Sequence, residues 1–145
     1  MDHNPIITAS LTDIPLLIPV ILELRPHLTP AIIQERLPLQ FQEGYRIVYI
    51  GNEEKAFCFA GFRINLYLYS GKTMYIDDLA TLPDYRNKGY AKKIFDYLKD
   101  LAKRENCAHF SLDSGFQRTT AHKFYLNQGL KIEALHFGDQ LIEKP

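Results

Sequence analysis

Apolar and polar positions change period several times along the chain, and each change predicts an element. Ile6 to Ala9 is a short apolar run and predicts a strand. Thr12 is placed to cap a helix over the apolar run that follows, and Pro19 is expected to kink or split it. Thr29-Pro30 pairs a cap with proline at the first helical position, so a short helix is expected to about Leu37, before Pro38. Tyr45 to Ile50 reads as a strand, Gly51-Asn52 as a turn, and Lys55 to Tyr69 as a long strand or one bulged at Gly61. Ser70-Gly71 turns the chain again, and Thr73 to Thr81 is a strand. The period then lengthens. Ala91, Ile94, Phe95, Leu98, Leu101 and Ala102 recur at helical spacing, so Gly89 to Arg104 is an amphipathic helix. His109 to Asp113 is a strand. Thr119 or Thr120 caps a second helix with Ala121, Phe124 and Tyr125 on one face and Gly129 as its stop. Lys131 to Phe137 reads as a final strand. This order, with three consecutive antiparallel strands, predicts a mixed α/β (α+β) layer fold with helices on a central sheet.

Composition narrows the class. The 145 residues suit one domain spanning 1–145, and 46% hydrophobic with 23% charged residues can bury a core. Lys plus Arg and Asp plus Glu are 17 each, so no general polyanion binder is expected and no nucleic-acid partner. The longest apolar stretch, near Ile14 to Leu24, is too short to span a bilayer and contains Pro15 and Pro19, so no membrane partner is expected. Met1-Asp2-His3-Asn4-Pro5 lacks the basic start of a secretory signal. Cys58 and Cys107 have neither metal nor redox spacing, and two free thiols fit a reducing, cytoplasmic setting. No His, Cys or carboxylate cluster has metal-ligand spacing, so no metal is expected.

Charge is nevertheless uneven. Residues 1–44 hold two basic and five acidic residues, whereas residues 84–105 hold seven basic and four acidic. Within the second segment a strand ends, a loop crosses, and a helix begins at Gly89 among Arg86, Lys88 and Lys92. A helix N-terminus offers unpaired N–H groups and partial positive charge, and glycine lets a backbone approach an anion closely. An ordinary helix start on a solvated basic face fits these features equally. The segment is neither a Walker loop nor a dinucleotide fingerprint.

Arg86-x-x-Gly89-x-Ala91 resembles the Arg/Gln-x-x-Gly-x-Gly/Ala signature of the GNAT N-acetyltransferase superfamily. Leu79-Ala80-Thr81 lies upstream where that family has its Leu-Ala-Val strand. Ala121-His122-Lys123-Phe124-Tyr125, running on to Gly129-Leu130, is similar to the family's tyrosine helix. The resemblance covers nearly the whole chain, most strongly Tyr75 to Phe137, and looks like a small bacterial-type member. It implies a mostly antiparallel sheet of about six to seven strands, about four helices, and a splayed strand pair holding CoA.

It also implies roles. Acetyl-CoA would be the cosubstrate, its pyrophosphate cradled by Arg86, Asn87, Lys88, Gly89, Tyr90, Ala91 and Lys92. Its pantetheine would lie along Leu79, Ala80 and Thr81, with the amide near Leu79 polarising the thioester carbonyl. Tyr125 takes the position of the tyrosine that protonates the leaving thiolate. An acceptor ammonium must also lose a proton. Asp77 is the candidate base, water-orienting group or amine-binding carboxylate. Strand alternation puts Tyr75, Asp77, Leu79 and Thr81 on one face and leaves Asp78 mostly structural. Tyr75 departs from the Glu or His of some members, and Arg118 from an Asn that helps hold the pantetheine. Ser114, His122 and His136 are polar residues that could line the slot.

The acidic, apolar segment Ile14 to Gly44 corresponds to the helices that cover the acceptor. With Asp77 it points to a small cationic amine, and Arg118 would suit a zwitterion. A protein or peptide amine, or a CoA-binding sensor without catalysis, are the alternatives. Homodimers are common in the family and are the assembly it suggests.

Overall fold

The computed structural model describes residues 4–143, so Met1 to His3 of the N-terminal stretch lie outside the described residues. The chain divides into two compact units, Met1–Ser111 and Leu112–Pro145.

The first unit contains β1 (Ile7–Thr8), α1 (Ile14–Leu24), α2 (Pro30–Gln42), β2 (Arg46–Gly51), β3 (Ala56–Tyr67), β4 (Gly71–Thr81), α3 (Tyr90–Arg104) and most of β5 (His109–Leu112). The sheet runs β1-β2-β3-β4-β5, and β1 to β4 are antiparallel neighbours. β5 enters beside the start of β4, where the Ala108 N–H donates to the Lys72 carbonyl at 2.7 Å.

Alternation sorts β2. Tyr45, Ile47 and Tyr49 pack with Ile14, Leu17, Val20 and Ile21 of α1 and Ile33 and Leu37 of α2. Val48 and Ile50 are equally buried, and by alternation they point to the opposite face. α3, which contacts β2, β3 and β4, buries Ile94, Phe95 and Leu98.

Pro38 was expected to end its helix and Pro19 to kink or split its own; both lie inside unbroken helices. Pro19 sits within α1 and Pro38 within α2. Each removes only its own N–H from the helical ladder, and the buried faces hold the helices together. At the start of α1 the N-cap is Asp13 rather than Thr12, and Ser10 caps the preceding 3-10 turn over Leu11–Asp13, its N–H donating to Asp13 Oδ2 at 2.9 Å. Thr29 caps α2 as expected, its hydroxyl accepting from the Ile32 N–H at 3.2 Å.

The second unit contains α4 (Thr119–Asn127). Thr119 is its first residue, and the N-cap is Arg118 with no side-chain cap bond, so neither threonine caps it. Its end is as expected. Gly129 is left-handed at φ +90°, and the N–H groups of Gly129 and Leu130 reach the carbonyls of Leu126 and Tyr125.

Six or seven strands were expected; the described residues form five, with four α-helices. Lys131 to Phe137 is not a strand. Its apolar residues do not share a strand face, since Ile132 falls on one side and Leu135 and Phe137 on the other. All three are exposed.

Candidate active site

The β3–β4 ladder carries the feature that organises the first unit's polar residues. Gly61 pairs with Asp78 and Phe62 with Ile76, so Asp77 is an extra residue with no partner across the ladder. One extra residue shifts the two-residue side-chain period by one step. Asp78 pairs with Gly61, beside which the Tyr45 ring lies, so Asp78 faces α1. Asp77 reaches the same polar cluster through Arg63. Beyond the bulge, Ala80 packs against the α1 core, whereas the Thr81 hydroxyl donates to Cys58 Sγ at 3.2 Å. Tyr75 and Asp77 therefore do not share a face with Leu79 and Thr81, and both neighbouring carboxylates join one cluster. The expected alternation fails because it presumed a regular strand.

Asp78 is fully engaged. Arg25, at the end of α1, donates to Oδ1 at 2.8 and 3.2 Å, and the Tyr45 hydroxyl donates to Oδ2 at 2.6 Å. Arg25 also donates to the Asp77 carbonyl at 3.2 Å, bracing the bulge itself. The Arg63 Nε donates to Asp77 Oδ2 at 2.9 Å. Asp77 Oδ1 is buried and has no hydrogen-bond partner. Burial pushes the Asp77 carboxyl above the ordinary aspartate range, and Arg63 pulls against it. Burial likewise drives the Tyr45 phenol well up, reinforced by Asp78.

The loop before α3 is shaped by two left-handed residues, Asn87 at φ +61° and Gly89 at φ +83°. Gly89 is the N-cap and supplies no side chain, and an added Cβ would meet nothing within 4 Å. The first N–H groups of α3, at Tyr90, Ala91 and Lys92, have no intrahelical acceptor by geometry. Arg86 does not reach into open space: Nε donates to the Thr81 carbonyl at 3.2 Å and a terminal nitrogen to Glu23 Oε1 at 2.9 Å. Lys88 lies 5.3 Å from the centroid of the Tyr85 ring, which stacks on Phe57 at 3.9 Å. Lys92 pairs with Asp96 at 2.8 Å. The Tyr90 hydroxyl accepts from Asn4 at 3.2 Å.

In the second unit Tyr125 is half-buried on α4. Burial raises its phenol above the ordinary value, with the charge of Arg118 opposing. His122 Nε2 lies 2.7 Å from the Gly115 carbonyl, and His136 Nδ1 lies 2.8 Å from Asp113 Oδ2. Ser114 is half-buried.

Arg63, Arg25, Tyr45 and Glu23 were not singled out from sequence. One signal was present for Arg63. It is a charged residue inside a long apolar strand, two positions after a mid-strand glycine.

The Acetyltransferase (GNAT) family profile matches residues 17–130, and the chain belongs to that family. An uncharacterized N-acetyltransferase of Bacillus subtilis, YhdJ, is 35% identical over 123 residues, covering 82% of this chain and 85% of that protein. A thialysine N-epsilon-acetyltransferase of Sus scrofa is 29% identical over 63 residues, 41% of this chain and 37% of that protein. Among solved structures, aminoglycoside N-acetyltransferase AAC(6')-Iy in complex with CoA superposes with a TM-score of 0.83 at 16% identity, covering 97% of this chain and 96% of that one. That likeness concerns the fold.

Proposed function

We propose that the protein is an acetyl-CoA-dependent N-acetyltransferase that acts on a primary amine of a small molecule by direct attack in a ternary complex. The observation that carries the acceptor side is Asp77, whose Oδ1 is buried without a partner beside a carboxylate already neutralised by Arg25. The cofactor side is supported by the loop before α3. Its left-handed Gly89, open where a Cβ would stand, and its basic neighbours fit a pyrophosphate.

Acetyl-CoA supplies an activated acyl thioester. In this reading the backbone of Asn87 to Lys92 holds the pyrophosphate, with Arg86 bracing the loop. Leu79, Ala80 and Thr81 line the pantetheine, and the amide near Leu79 polarises the thioester carbonyl. Asp77 takes the proton of the acceptor ammonium. The amine nitrogen bonds to the carbonyl carbon, the carbon–sulfur bond breaks, Tyr125 donates its phenol proton to the departing thiolate, and the surplus proton on the new amide nitrogen returns to the Tyr125 phenolate. A phenol held above its ordinary pKa remains protonated at neutral pH. Residues 1–145 serve as one domain in this reading, cytoplasmic, with a homodimer as the suggested assembly and no metal, nucleic-acid or membrane partner.

The test is release of free thiol from acetyl-CoA across an amine panel that includes thialysine, lysine and an aminoglycoside. Tyr125→Phe is expected to lower kcat by roughly a hundredfold, with acetyl-CoA affinity changed less than about twofold. Equal turnover in the variant removes the acid assignment. Acetyl-CoA binding without transfer to any amine would instead favour a sensor.

A further inference from the structure

The carboxylates at the β4 bulge are adjacent in sequence but held differently. Asp78 has both oxygens satisfied by Arg25 and Tyr45. Asp77 has one oxygen in the grip of Arg63 and the other buried without a donor, the one such side-chain atom among the described residues. A buried polar atom left without a partner costs about 1–3 kcal/mol, and more when charged.

We propose that Arg63 is the positioning residue for Asp77: its Nε grips Oδ2 and fixes the plane of the carboxylate that faces the acceptor ammonium. This rests on the reading of Asp77 as the amine-facing carboxylate. Arg63 is itself held. Its guanidinium carbon lies 5.2 Å from the centroid of the Tyr45 ring, whose hydroxyl is committed to Asp78. The hold on Asp77 is thus built from two strands and the residue that precedes a third, through Tyr45 just before β2, Arg63 on β3 and Asp78 on β4. Arginine suits this task because its planar fork fixes direction as well as charge.

The charged and titratable groups facing Asp77 are Arg63 from β3, Arg25 from the end of α1, Asp78 beside it, and Tyr45. Glu43, at the end of α2, faces Arg63. Burial and Asp78 raise the Asp77 pKa; Arg63 and Arg25 lower it, Arg63 by more. Loss of Arg63 therefore moves titration of this carboxyl to higher pH.

The experiment uses the full chain and two readouts. Carboxyl-carbon NMR, assigned through Asp77→Asn, follows the titration with no substrate present. Thiol release follows turnover, with acetyl-CoA and the amine giving the highest rate. Arg63→Gln should move the Asp77 titration to higher pH and lower kcat by about tenfold, short of the hundredfold or so for losing a general base. Arg63→Lys keeps the charge but not the fork, so its titration should stay near wild type while kcat still falls. An unmoved titration in Arg63→Gln, or full kcat in Arg63→Lys, overturns the proposal. Should Arg63→Gln fail to fold, the lysine variant decides alone. An Asp77→Asn protein with full activity overturns the underlying reading instead, and the titration distinguishes the two failures.

Discussion

Gly61 lacks a side chain because Tyr45 occupies the space. An added Cβ would lie 1.6 Å from the Tyr45 hydroxyl oxygen and 2.2 Å from the ring carbon bearing it. The tyrosine could not shift without releasing Asp78, which is tied to it at 2.6 Å. Gly61→Ala is therefore expected to destabilise the protein by about 3 kcal/mol, combining overpacking with a lost charged hydrogen bond. Urea unfolding checks this, and a cost below about 1 kcal/mol would show that the ring has another resting place. At this scale the sequence was informative only where a residue looked out of place. Asp77 stood out because carboxylates are rare in mid-strand, and Gly61 because it interrupts an apolar run. Their partners stayed hidden. Arg63 lies 14 positions from Asp77, and Arg25 lies 53 from Asp78, and no local pattern links such distances.

Elements were legible when their own period decided them. α3 and its buried Ile94, Phe95, Leu98 and Ala102 follow directly from helical spacing. β4 was found as a strand but its faces were misread past Asp77, because a bulge is a relation between two strands. α1 and α2 run through their prolines because packing outweighs one missing hydrogen bond in each. The start of α3 gives a test at this level. Gly89→Asn keeps a residue that tolerates left-handed backbone, and nothing within 4 Å crowds its Cβ. Its stability should fall by less than about 1 kcal/mol. The wild-type protein with acetyl-CoA at about one hundred times its Kd should gain about 2.7 kcal/mol, seen as a raised thermal midpoint. That shift should vanish in Gly89→Asn. A preserved shift would mean that the cofactor does not rest on this helix start.

Over the whole molecule, the positive and negative charges cancel at 17 each. Self-repulsion is then weakest near neutral pH, so solubility should pass through a minimum there and rise on either side. Precipitation by polyethylene glycol across a pH series measures it, and a flat profile would count against charge as the controlling factor. The cancellation conceals the −3 of residues 1–44 and the +3 of residues 84–105, so a total near zero said little about the site. Layer class and the three consecutive antiparallel strands were legible at this scale. The strand count was not, since apolar residues at 131–137 promised a pairing that their alternation does not support.

The extra residue in β4 also acts as a frameshift in the sheet. On one side of Asp77 odd-numbered positions look toward α1, and on the other side even-numbered positions do. Deleting a single residue there would restore a regular ladder and exchange the face toward α1 for the opposite one along half of the strand. Comparing this chain with its relatives therefore depends on where a one-residue gap is placed in β4. Placed elsewhere, it would match residues of the α1 face to residues of the opposite face.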